Sequence, residues 1–109
     1  MTRSAGPGLT NLTFQILVAL ADMDRHGYGI IKEIEDRSGP AAAPTTGALY
    51  LALQRMESDG LIEGGTPPAG ADGRRRYYRL TPAGREAADA ETARLAALVA
   101  QAHAKKLAT

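Results

Sequence analysis

Apolar residues recur at helical spacing in four stretches of this chain and alternate strand-fashion in one. From Thr10 to about Met23, the residues Phe14, Leu17, Leu20 and Ala21 fall at i, i+3, i+6 and i+7, one face of a helix that Thr10 can cap. Leu12, Ile16 and Val18 lie off that stripe, and a helix apolar on more than one side has two partners. His26-Gly27-Tyr28-Gly29 breaks the pattern. A second helix follows over about Tyr28 to Arg37, with Ile30, Ile31 and Ile34 inward and Lys32, Glu33, Glu35 and Asp36 toward water, and Ser38-Gly39-Pro40 stops it. Thr45 or Thr46 caps a third helix, about Thr46 to Ser58, closed by Gly60. Leu61-Ile62-Glu63 and the run from Arg74 to Leu80 read as two strands joined by the Gly/Pro-rich loop Gly64 to Gly73. Tyr78 and Leu80 share one strand face, Tyr77 and Arg79 the other. Thr81-Pro82 then opens a long Ala-rich helix to about Lys106, in which Ala88, Glu91 and Arg94 are placed toward water and Leu95, Leu98, Val99 and Ala102 form an apolar strip.

The order helix, helix, helix, strand, strand, long helix predicts a mainly α protein with a small β-hairpin. It is the order of a winged helix-turn-helix over residues 9–81. A Gly/Pro/Ser-rich tail, expected to be disordered, occupies residues 1–8, and the long C-terminal helix occupies 82–109.

Composition sharpens this picture at two points. The 109 residues contain neither Cys nor Trp, and the only aromatics are Phe14, Tyr28, Tyr50, Tyr77 and Tyr78. Without Cys there are no disulfides, thiolate metal sites or Cys nucleophiles. With so few large side chains, a chain that buries only about 60–70% of its unfolded surface is marginal alone, so a second copy is expected to complete the core. No apolar stretch approaches the roughly 20 residues of a membrane span, and no h-region marks a signal peptide, so a cytoplasmic protein away from membranes is expected.

Charge is informative by segment. The total is +1, but residues 1–60 carry net −2, 61–81 net +2 and 82–109 net +1. Arg74, Arg75, Arg76 and Arg79 therefore concentrate positive charge on the hairpin. On a wing, such a run suits phosphate or minor-groove contact; the plain alternative is a solvated loop end. Advancing about 100° per residue along the third helix gathers Leu49, Ala52, Leu53 and Met56 on one side. The other side presents Gly47, Leu51, Gln54 and Arg55, with Tyr50 at the border. A helix entering the major groove presents its N-terminal half to base edges. Here that half offers Thr45, Thr46, Gly47, Tyr50, Leu51 and Gln54. Gln can bond adenine bidentately, an exposed Leu can meet a thymine methyl, and the threonines suit phosphate oxygens. The plain alternatives are a threonine that only caps and an Arg55 paired with a nearby Glu. Enzyme chemistry finds no support. His26 and His103 are far apart, no paired-acid, HExxH or GxSxG pattern occurs, and no metal site or cofactor signature is present.

These residues resemble the PadR family of bacterial regulators. The resemblance lies in His26-Gly27-Tyr28, in Gly47-Ala48-Leu49-Tyr50 with Leu53 to Ile62, and in Gly73 to Gly84 (GRRRYYRLTPAG), and it covers about residues 9–84. A single C-terminal helix is similar to the short subgroup. Leu51 stands where that family usually has Pro, and Arg76 where Lys is common. The resemblance implies a homodimeric transcription factor, usually a repressor, on double-stranded operator DNA. It also implies that the last helix packs on the first helix of the other subunit. The unpartnered strip Leu95, Leu98, Val99 and Ala102, set against Phe14 and Leu17 of the first helix, fits a two-fold dimer with its reading helices about 34–36 Å apart. Some members bind flat aromatic effectors at that interface, and in some a Trp in the last helix stacks on them. With no Trp here, Phe14 is left to line a pocket for a small apolar or aromatic effector, or to be plain core. The rival reading is a winged helix that binds protein rather than DNA.

Overall fold

The computed structural model describes residues 8–108, so the expected tail lies, Gly8 apart, outside the described residues. Helix α1 (Asn11–Ala19) opens on Thr10, whose hydroxyl accepts the Thr13 N–H at 3.1 Å. It stops four residues before Met23. Arg25 Nε donates to the Ala19 carbonyl at 2.7 Å and Arg85 to the Ala21 carbonyl at 2.7 Å, so distant guanidiniums take up carbonyls at the helix end. The chain is thereby turned into β1 (Arg25–His26), a strand that periodicity does not predict.

Helix α2 (Gly27–Ser38) and a 3₁₀ turn (Pro40–Ala42) lead to α3 (Thr46–Ser58), β2 (Ile62–Gly64), β3 (Tyr77–Leu80) and α4 (Pro82–Ala104). The hairpin is thus part of a three-stranded antiparallel sheet in the order β1-β3-β2, with Arg25 opposite Tyr78 and Ile62 opposite Leu80. Strand β3 begins at Tyr77, so Arg74, Arg75 and Arg76 precede it rather than lie within it.

One core joins α1, α2, α3 and the sheet: Ile16, Leu17, Ala19, Leu20, Ile30, Ile34, Leu49, Leu53, Met56, Ile62 and Tyr78. Leu17 is fully enclosed there, which corrects its placement at a subunit interface: α1 turns its Ile16/Leu17 side, not its Phe14 side, into its own protomer. Phe14 itself is half-buried and lies outside this core.

Helix α4 departs from expectation on its first half. Glu91 is 5% exposed rather than facing water. Arg94 donates to it at 3.0 and 2.5 Å. The Arg94 guanidinium holds the Glu91 carboxyl below the usual carboxylate range. Ala88 is half-buried against the core. Beyond Glu91 the helix leaves the body: Leu98 and Val99 are 45% and 52% exposed, while Leu95 and Ala102 are half-buried. The radius of gyration, 15.4 Å, exceeds the roughly 13 Å of a compact domain of this length, as an overhanging helix requires.

The root of α4 is tied to the root of the wing. Thr81 Oγ1 donates to the Gly60 carbonyl at 2.6 Å and accepts the Gly84 N–H at 2.9 Å, while the Thr81 N–H donates to the Leu61 carbonyl at 3.1 Å. Gly84 sits directly on that Leu61 carbonyl, where a Cβ would collide with backbone that cannot swing aside. Gly84→Ala is expected to destabilise the fold by about 2–3 kcal/mol, the scale of an overpacked core site, read as a lowered denaturant midpoint at unchanged slope. A midpoint equal to the wild type's would show that α4 can lift off the strand freely.

Candidate nucleic-acid interface

Helix α3 divides as the sequence suggests. Leu49, Leu53 and Met56 are buried, Ala52 is half-buried, and Thr45, Thr46, Gly47, Leu51, Gln54 and Arg55 are exposed. Tyr50, at the border, is 45% exposed. Thr45 is the cap: its hydroxyl accepts the Ala48 N–H at 3.1 Å. Arg55 has no carboxylate within ion-pair distance among the described residues, so the pairing with Glu does not form.

The wing arginines are not the free cations that three adjacent like charges on a loop suggest. Arg74 pairs with Asp72, which accepts both its backbone N–H at 2.9 Å and its guanidinium at 3.3 Å. These contacts hold the Asp72 carboxyl below its ordinary value. Arg75 reaches back to His26 of β1. Arg76 pairs with Glu57 of α3 and lies 5.0 Å over the Tyr78 ring. The side chain of Arg74 is 90% exposed and that of Arg76 56%, so both remain open to a polyanion. Arg79 spans β2 and β3, donating to the Gly64 carbonyl at 3.2 Å with Glu63 at 3.7 Å.

These pairings join α3 and the wing into one surface. A cleft of about 420 Å³ is lined by Tyr50, Leu51, Gln54, Glu57, Arg76 and Tyr78. A second, of about 340 Å³, is lined by His26, Gly27, Tyr28, Tyr50, Arg74, Arg75 and Arg76. Tyr50 and Arg76 line both, so the helix face and the basic wing are continuous. Gly27 explains part of the closeness: the Tyr50 hydroxyl packs where its Cβ would stand. Of the residues sequence reasoning placed here, Gly47, Tyr50, Leu51, Gln54 and Arg55 share the exposed side of α3, and Arg74 to Arg76 flank it. His26, Tyr28, Glu57 and Tyr78 are additions. Each lies in a stretch that carries the family resemblance, but no local signal pairs Glu57 with the wing.

The surface offers polar, aromatic and cationic side chains and no nucleophile with an adjacent base. Among the described residues there is no cluster of His, Asp or Glu able to hold a metal ion, and no helix long and apolar enough to cross a membrane.

The chain is similar to known transcriptional regulators. A transcriptional regulator of Mycobacterium tuberculosis is 44% identical over 73 residues, 66% of this chain and 64% of that protein. The matched region spans 22% to 64% of the length of the curated relatives. A PadR family transcription regulator from hypervirulent Clostridium difficile superposes with a TM-score of 0.72 at 30% identity, covering 84% of this chain and 94% of that one. Bacillus subtilis PadR, solved in complex with operator DNA, shares the fold with a TM-score of 0.64 at 22% identity, over 74% of this chain and 46% of that one. Residues 16–90, from α1 into α4, match the transcriptional regulator PadR-like family. With this match running through the helix-turn-helix and the wing, the chain belongs to the PadR-like family, whose members are transcriptional regulators and not enzymes.

Proposed function

We propose that this chain is a cytoplasmic, sequence-specific DNA-binding repressor that acts as a homodimer on a pseudo-palindromic operator. Residues 9–81 form the DNA-binding unit and α4 the dimerisation element. In this reading Leu51, Gln54 and Tyr50 meet base edges in the major groove. Thr45, Thr46, Gly47 and Arg55 position α3 against the backbone, and Arg74, Arg75 and Arg76 take phosphates beside it. The carrying observation is that the exposed face of α3 and the arginine wing are one surface, bridged by Tyr50 and Arg76. Phe14 on α1 and Leu95, Leu98, Val99 and Ala102 on α4 supply the apolar contact between subunits, and a small apolar or aromatic effector bound among them would alter the spacing of the two α3 helices.

The test is fluorescence anisotropy against the DNA upstream of the chain's own coding sequence, at two salt concentrations, with a scrambled duplex as control. Tighter binding to the native duplex with steep salt dependence is expected. Equal affinity for both at either salt turns the reading toward a protein-binding winged helix, and a pull-down follows. Gln54→Ala is expected to shrink the preference for the native duplex by about tenfold, within the usual range for a bidentate base contact, while leaving the salt slope unchanged. A uniform loss on both duplexes would place Gln54 on the backbone instead.

A further inference from the structure

We propose that the cleft between β1 and the base of the wing loop is a small-molecule site that takes a compact aromatic amine in its ammonium form. It lies apart from the exposed face of α3 and from the apolar strip of α4, so it stands or falls independently of the DNA-binding reading.

The walls suit a flat apolar body. The cleft, about 370 Å³, falls in the size range of small-molecule sites and is lined by Met23, His26, Pro68 and Tyr77, with Asp24 and Arg25 as its charged members. The His26 and Tyr77 rings stand 82° apart at 5.1 Å and form a corner, against which a third ring can set a face and an edge. Met23, 55% exposed, adds a flexible thioether side chain that adapts to such a ring.

Charge decides the class. Asp24 Oδ2 accepts the Thr66 N–H at 2.9 Å, while Oδ1 has no hydrogen-bond partner among the described residues. Nor has Asp24 a cation within ion-pair distance among them. Arg25, beside it in the wall, is turned elsewhere: Nε donates to the Ala19 carbonyl at 2.7 Å, and a terminal nitrogen pairs with Asp22 at 3.3 Å. Arg74, Arg75 and Arg76 line the neighbouring cleft and not this one. Burial first, and Arg75 second, hold His26 below the ordinary imidazole value, so at pH 7 the ring adds no positive charge. A carboxylate with one oxygen open, set among aromatic and apolar walls, matches an ammonium carried on an aromatic ring. An aromatic acid meets the same carboxylate as a like charge. The Asp24 contact also ties the wing loop to the body across forty-two residues, so a ligand on Asp24 touches the residue that holds Thr66.

Tryptamine is the probe, because the chain has no Trp and indole emission reports the ligand alone. Its fluorescence anisotropy is expected to saturate. Tryptophol, the neutral hydroxyl counterpart, should bind about tenfold more weakly, and indoleacetate more weakly still. Asp24→Asn keeps a side-chain oxygen for the Thr66 N–H and removes the charge. It should bring tryptamine down to the affinity of tryptophol and leave tryptophol unchanged. Met23→Ala, at an exposed position, should weaken both by one factor and serves as the second variant if Asp24→Asn disturbs the fold. In ¹H–¹⁵N spectra the Thr66 amide should shift as tryptamine saturates. Equal affinity for tryptamine and tryptophol, undiminished tryptamine binding by folded Asp24→Asn, or a flat titration to about 1 mM overturns the site. So does tryptamine binding that is lost in Phe14→Ala with no shift at Thr66, which would place the amine at the subunit contact instead.

Discussion

Changing Arg74, Arg75 and Arg76 together to Ala is expected to flatten the salt dependence of DNA binding more than any other surface substitution. Each phosphate contact contributes about 0.9 to the slope of log affinity against log salt, so three lost contacts make it shallower by roughly 3 per wing. At about 1 kcal/mol per contact, the affinity falls on the order of a hundredfold per wing. Native and scrambled duplexes should suffer alike, since the contacts read no bases. The fold should survive. The pairs with Asp72 and Glu57 lie at the surface, where water screens them, so their loss costs the fold little. Arg76 over Tyr78 adds about 0.5–1 kcal/mol at such a site. Anisotropy at several salt concentrations, alongside a thermal melt, checks both halves. An unchanged slope in a folded variant removes the wing from the interface.

Leu98→Glu is expected to convert dimer to monomer. Leu98 is 45% exposed in the single chain, so the substitution leaves the protomer's own core intact. In the proposed dimer the same position is covered, and an unpaired carboxylate there costs several kcal/mol. About 4 kcal/mol corresponds to roughly a thousandfold weaker association. Analytical ultracentrifugation at micromolar concentration should find monomers with normal helix content, and DNA binding should fall with the lost second half-site. A stable dimer that still binds DNA would falsify the assignment of α4 to the interface.

The local grammar of the chain was legible because caps are local. Thr10, Thr45 and Thr81 each start a helix through a hydroxyl three residues from the amide it accepts. The exposed side of α3 was legible because thirteen residues give the helical period room to separate its faces. Strand β1 was not, since two residues carry no period and exist as a strand only by pairing with β3. The arginine partners were hidden for a similar reason. Glu57 lies nineteen residues from Arg76, and His26 forty-nine from Arg75. Leu17 shows the limit of the helical wheel itself. A helix apolar on two sides does not say which side meets its own core. Glu91 was misread because a carboxylate that folding closes off looks, in sequence, like any charge on a helix.

The seat of Gly84 on the Leu61 carbonyl makes α4 a lever with its fulcrum at the wing. From Gly84 to Ala104 the arm is about 30 Å long at 1.5 Å per residue, so a 5 Å sweep of the free end is about a 10° tilt at the fulcrum. Because backbone rests on backbone there, no side-chain rotamer absorbs the tilt, and the torque passes through Thr81 to Gly60 and Leu61, where α3 ends and β2 begins. This backbone contact thus lies between the exposed far end of α4 and the loop that carries the positive charge.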